Sequence, residues 1–355
     1  MRDHHPRLTL ILLTLVAVSV CTAVFFGMRM LMGQAGLAAI LLPLAFAAAV
    51  AVGLAVIWHM SVHSLPLLRT PGHSTAAMVL FGVVALAAIA VSSWLTTTAI
   101  SGSTAVRIYL SEQEEAARKA LRTQYENNLL EQEIVPSVSN TAIELQRMAD
   151  LELKTGSFSG RYGPGPTVEV LTRSSSAFQR VANEANDTRD RVEGKYATAL
   201  QQLSDMRAAI GSNLPMEDKH RRVGQIIAQV QQTIAEIGNA GVLSSIRTMQ
   251  VANVNVTSAG SSAAAVKEVY AAIEQRTRKL QTEAERLQRQ KKDVELVGFR
   301  DLGPGEAVIE YAGAVMSGWL VAVTVDLLPL LLIVLLFIRI GAARTQQGLL
   351  PAPAE

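Results

Sequence analysis

Fifty-three of the sixty-two Asp, Glu, Lys and Arg side chains fall between residues 101 and 310, leaving five in residues 1–100 and four in residues 311–355. A chain patterned this way cannot close one water-soluble core, because its two ends are apolar over lengths that only lipid accommodates. A bilayer core about 30 Å thick is crossed by roughly 20 apolar helical residues, since each residue rises about 1.5 Å and lipid offers the backbone no hydrogen-bonding partner. Four stretches meet that requirement: Leu8 to about Gly33, Gly36 to Trp58, about Thr75 to Ile100, and about Ala312 to Ile340. The expected fold class is therefore all-α, with three membrane helices before, and one after, a long coiled-coil-like helical domain. Its expected divisions are a three-span anchor (1–100), a helical stalk (101–311), a fourth span (312–340) and a short tail (341–355).

The first stretch has a second reading as a cleaved leader, with Arg2 and Arg7 ahead of the apolar run and Ala23 at a small-residue site. A retained span is preferred, because the run continues past that site to Met32. Both readings place residues 101–311 on the same side. With Arg2, Arg7, Arg69, Arg339 and Arg344 inside against Arg29, Arg107 and Arg300 outside, the charge bias puts that side away from the cytoplasm. Trp58, Trp94 and Trp319 fall near span ends, as interfacial aromatics do. Arginine outnumbers lysine 24 to 8, a bias of GC-rich coding. A bacterial inner membrane, with residues 101–311 periplasmic or extracellular, is the expected setting.

Within the polar region, Phe178, Ala185, Val192, Ala199 and Met206 recur every seven residues beside Ala182, Arg189, Tyr196, Leu203 and Ile210. Such interleaved series make a packing seam along a helix. A second seam runs through Val266, Ile273, Leu280, Leu287 and Val294, with Tyr270, Thr277 and Ala284 alongside. These seams close either within the chain or against another copy, so a homo-oligomer is an open alternative. Turns are expected at Gly156–Pro166, Gly211–Pro215 and Gly303–Gly305, with a kink at Pro136 and an irregular tip or short helix over Asn239–Ser262. At about 1.5 Å per residue, helices of about 80 and 36 Å outward and 67 and 54 Å back bring the chain home without a long loop.

The candidate chemistry is sparse. Asp326 is the one acid within a span, with Pro329 one turn later. A charge there costs several kcal/mol unless paired, hydrated or protonated, so Asp326 reads either as an ion or proton site or as a buried acid held by Ser, Thr or backbone of a neighbouring span. His59 and His63 share one helix face at a metal's spacing but lack a fixed carboxylate or cysteine beside them, which favours an interfacial cluster. His220 reads as solvated helix surface. Gly160-Arg-Tyr-Gly-Pro-Gly lacks the strand, lysine and hydroxyl of a phosphate loop, and no Gly-x-Ser-x-Gly elbow occurs. Cys21 is the only cysteine, which excludes an internal disulfide and a cysteine-built zinc site. The 26 basic and 27 acidic side chains of the middle are interspersed, so it carries no basic stripe for nucleic acid.

These readings point away from catalysis, metals and cofactors. They favour a non-enzymatic multi-pass membrane protein whose helical domain scaffolds a complex, binding protein partners along its length or at its tip. The rivals are an ion- or proton-conducting subunit using Asp326, and a sensor relying on a separate output protein.

Overall fold

The computed structural model describes residues 14, 18, 21–29, 38–64, 71–248, 261–296, 298–327 and 331. No strand occurs among them: the chain is helical, as its periodicities predict. Residues 21–29 are helical. The longer elements are α1 (Ala38–Ser64), α2 (Pro71–Gln132), α3 (Val135–Thr155), α4 (Pro166–Gly211), α5 (Met216–Asn239), α6 (Leu243–Arg247), α7 (Ser261–Gln290), α8 (Pro304–Glu310) and α9 (Met316–Leu327). They form two compact units. Unit 1 comprises residues 1–112, 214–220 and 300–355, and unit 2 comprises residues 113–213 and 221–299.

A helical run beginning at Gly82 contains a segment long and apolar enough to cross a bilayer, and Ile40–Gly53 and Met316–Leu327 are shorter apolar helices. Most of the first apolar stretch and the end of the fourth lie outside the described residues. The fourth begins differently from its hydropathy. Residues 311–315 form turns and the helix starts at Met316, because α8 precedes it and its end carbonyls are taken by Tyr311 and Ala312 N–H groups.

Unit 2 is a bundle around one apolar core, in which Leu145, Leu171, Phe178, Val266, Ile273 and Leu287 are buried together. Helices α3 and α4 run antiparallel: Gly163 N–H reaches Leu153 O at 2.8 Å, and Ser175 Oγ donates to Ala142 O, also at 2.8 Å, farther along both. Helix α4 continues antiparallel along α2, where Tyr125 stacks on Tyr196 with ring centroids 4.1 Å apart. All five members of the Phe178 series are buried. The companion series departs at one place, where Arg189 faces solvent beside Glu193 and Thr188 takes the buried position. A guanidinium has no partner in that seam, and a hydroxyl one residue earlier fills the space at far lower desolvation cost.

Two interruptions differ from the sequence reading for identifiable reasons. Pro136 does not kink a continuous helix but separates two: its ring would meet the carbonyl of Gln132, four residues back, and α2 ends there. The break turns Ile134 fully inward. Helix α7 stops at Gln290, short of Val294, and residues 291–296 and 298–303 are non-helical. Asn127 takes over the backbone there, donating Nδ2–H to Lys292 O at 2.8 Å and accepting Lys292 N–H at 2.9 Å. Over the Asn239–Ser262 segment, the described part is the short helix α6.

Candidate functional site

Helix α2 carries a run of hydroxyls inside its apolar half: Ser92, Ser93, Thr96, Thr97 and Thr98 are all buried. Helix α9 lies antiparallel to it within unit 1. Gly318 abuts Ser101 so closely that a Cβ would collide with the serine hydroxyl, and eight residues later Asp326 meets Ser93 and Ser92, eight and nine residues back along α2. The close approach requires a residue without a side chain at 318, and it sets the register that delivers the acid to the hydroxyls. On another side of α2, Gly27 stands against the backbone of Leu95. Small residues thus bring two further helical segments against the hydroxyl-bearing stretch.

Asp326 is 7% exposed. Ser92 Oγ donates to its Oδ1 at 2.9 Å and Ser93 Oγ to its Oδ2 at 2.6 Å, so both carboxyl oxygens accept from α2. Thr97 Oγ1 instead donates to Ser93 O at 2.7 Å. Thr96 Oγ1 is buried and has no hydrogen-bond partner. Arg29 is exposed. Pro329 lies outside the described residues, as do the side chains of His59 and His63, whose backbone is helical.

The tryptophans are tied to α8. Trp94 Nε1 donates to Gly305 O at 2.9 Å, and Trp319 Nε1 to Val308 O at 3.1 Å. Around these groups the apolar side chains point outward: Val83, Leu86, Ile100, Met316, Leu320 and Val321 are all exposed.

His220 is not solvated surface. It is 8% exposed, with Nδ1 2.9 Å from Asp301 Oδ1 and a buried Nε2 that has no hydrogen-bond partner. Burial holds its pKa below the ordinary histidine range, and the nearby Asp301 carboxylate opposes that shift without reversing it.

Unit 2 buries three carboxylates that its sequence did not single out. Glu114 pairs with Arg118 at 2.7 Å and Arg207 at 2.9 Å. Glu131 pairs with Lys291 and accepts Leu243 N–H at 3.4 Å. Glu152 accepts Phe158 N–H at 2.7 Å and Ser159 N–H at 3.1 Å, which fills the glycine-rich turn with the chain's own anion. Gly156 at φ 65° completes that turn, and a Cβ there would lie 2.5 Å from the backbone of Arg161. Tyr162, 85% exposed, projects from it. On the surface, Lys195 and then Gln232 hold the Glu236 carboxyl below its ordinary pKa, and Lys292 and then Arg122 do the same for Glu126.

A cleft of about 490 Å³ lies in unit 2 between α4, the end of α5 and α6, with Glu184, Arg191, Lys195 and Glu236 on its walls. Two of these charges pair with each other, Lys195 with Glu236, and Arg191 donates to Thr188 Oγ1 at 3.0 Å. No group of three or more His, Cys, Asp or Glu side chains is placed to hold a metal among the described residues. No protein-family model, curated protein or solved structure matches the chain.

Proposed function

We propose that this is a non-enzymatic, multi-pass membrane protein whose unit 1 sits in the bilayer as four spans and whose unit 2 is a helical module that binds protein partners in the envelope. The observation that carries the reading is the reversal of polarity between the units. Unit 1 exposes Val83, Leu86 and Leu320 while burying Ser92, Thr97 and Asp326, an arrangement that water penalises and hydrocarbon favours. Unit 2 closes its own apolar core and turns charged side chains outward, so its surface is available for recognition.

The positive-inside bias supports a location for residues 101–311 outside the cytoplasm, in a bacterial inner membrane. Recognition along unit 2 is supported by its extended helical faces and by Tyr162, an exposed aromatic of the kind that anchors interfaces. A second copy of the chain is one such partner.

In-cell photo-cross-linking tests this directly. A benzoylphenylalanine scan over exposed unit 2 positions, Tyr162 and Leu296 among them, is expected to give discrete protein adducts, with the chain still in the membrane pellet. A complete scan with no adduct at any position contradicts the reading.

A further inference from the structure

We propose that Asp326, Ser92, Ser93 and Thr96 form a binding site for a small monovalent cation of the Na⁺ class. The site goes beyond partner binding and rests on the bilayer placement of unit 1 for its surroundings. Three features carry it. The first is the buried acid, both of whose oxygens are addressed by hydroxyls of one helix. A carboxylate amid apolar side chains is stabilised most by a compact positive charge at contact, because a low dielectric strengthens that attraction.

The second is independent of the acid. Thr96 Oγ1 is buried, with the residue 5% exposed, yet it has no hydrogen-bond partner among the described residues. An unmet buried hydroxyl is unfavourable by about 1–3 kcal/mol, so Thr96 gains by donating a lone pair to a bound ion. Thr96 lies four residues from Ser92 and three from Ser93, on the same face of α2, and a helical side chain leans toward the preceding turn, where those serines are. The unmet oxygen therefore sits beside the acid–hydroxyl group.

The third is the donor chemistry. One carboxylate and three hydroxyls are all hard oxygen donors, which suit alkali and alkaline-earth ions over transition metals. A single carboxylate balances one positive charge, and a divalent ion would leave a net charge buried. The serine oxygens lie 2.9 and 2.6 Å from the carboxyl oxygens, so an entering ion takes the place of these two hydrogen bonds and the oxygens spread to admit it. Each serine hydroxyl donates to Asp326 when the ion is absent and turns its lone pairs to the ion when it is bound.

The test is thermal unfolding of the full-length protein in detergent, in NaCl, KCl or choline chloride at equal ionic strength. Na⁺ is expected to raise the apparent Tm over choline by roughly 3–6 °C near saturation, with a smaller rise in K⁺. Asp326→Asn is expected to abolish the Na⁺-specific shift. Thr96→Val and Ser93→Ala, which keep the acid, are expected to raise the half-saturating Na⁺ concentration about tenfold. Equal Tm in all three salts overturns the site, as does a full Na⁺ shift in Asp326→Asn or an unchanged half-saturation in Thr96→Val. Carbonate extraction of membranes from the same cells reports on the placement separately. A Na⁺ shift in protein that extracts as soluble refutes the bilayer placement and keeps the site, and a membrane-retained protein with no shift refutes the site alone.

Discussion

In unit 1, Val83 is 60% exposed while Thr97 and Ala322 are wholly enclosed; in unit 2, Phe178 and Leu145 are enclosed and the surface around them is Glu, Gln, Arg and Lys. On the proposed reading, the two units use the same helical element in different solvents. In unit 2 the favourable term is removal of apolar area from water, and each buried carboxylate comes with cations or N–H groups to meet it: Arg118 and Arg207 for Glu114, Lys291 for Glu131, the turn amides for Glu152. In unit 1 the apolar side chains gain nothing by turning inward if lipid surrounds them, so packing is left to small residues and hydroxyls, such as Gly27, Gly318, Ser92 and Ser93. The difference shows that burial has no single meaning along this chain. In unit 1 it encloses a run of hydroxyls and an acid while many large apolar side chains stay exposed, and in unit 2 it encloses an apolar core together with carboxylates that each have a partner.

The contrast can be broken most severely from the core of unit 2. Phe178→Ala is expected to destabilise that unit by about 3–5 kcal/mol, through lost transfer energy and the cavity left behind. Chemical denaturation of the detergent-solubilised chain, followed by helical circular dichroism, measures this. Unit 1 is expected to keep its helices at denaturant concentrations that melt the variant's unit 2.

Equal exposure should carry unequal cost in the two units. Val83→Arg is expected to disfavour insertion by about 2.5–3.5 kcal/mol, whereas Leu151→Arg, at a site 51% exposed in unit 2, should stay within about 0.5 kcal/mol of the parent. The fraction retained in carbonate-washed membranes reads the first and thermal unfolding the second. Similar effects for the two would remove the distinction.

Smaller effects sharpen unit 2's turn and unit 1's buried histidine. Gly156→Ala puts a Cβ into the Arg161 backbone at a φ of 65° and is expected to cost about 1–3 kcal/mol, seen as a lower denaturation midpoint. The His220 effect is smaller and depends on pH. Its pKa is lower folded than unfolded, so the unfolded chain binds the proton more readily. Stability is therefore full above the unfolded value of about 6.5 and falls as pH drops below it toward the folded value. His220→Gln is expected to flatten that decline in a pH series of unfolding midpoints.

Much of the architecture was legible because it repeats. Seven-residue spacing located the buried face of α4 from Phe178 to Met206, and the Gly and Pro clusters located the turns at 156–166 and 211–215. What the spacing could not carry was any feature set by a contact distant in sequence. Asn127 ends α7 from 165 residues away, and Glu131 and Glu152 are buried because partners arrive from elsewhere in the fold. His220 was misjudged for that reason, its burial depending on residues around Asp301. For the candidate site, Asp326 stood out as a lone acid in an apolar run, but its partners did not. The signal was present in the cluster Ser92-Ser93 and Thr96-Thr97-Thr98, an unusual density of hydroxyls inside an apolar helix that gains its meaning only once α9 lies against it.

The central claim, that the two units are folded for different solvents, is tested most directly by spin labels on single cysteines in a Cys21→Ser background, with the chain in liposomes. Labels at Val83 and at Gln201 are compared for collision with oxygen, which concentrates in lipid, and with a water-soluble nickel complex. The account predicts that oxygen relaxes the label at Val83 and nickel relaxes the one at Gln201. Nickel relaxing both labels equally would contradict it.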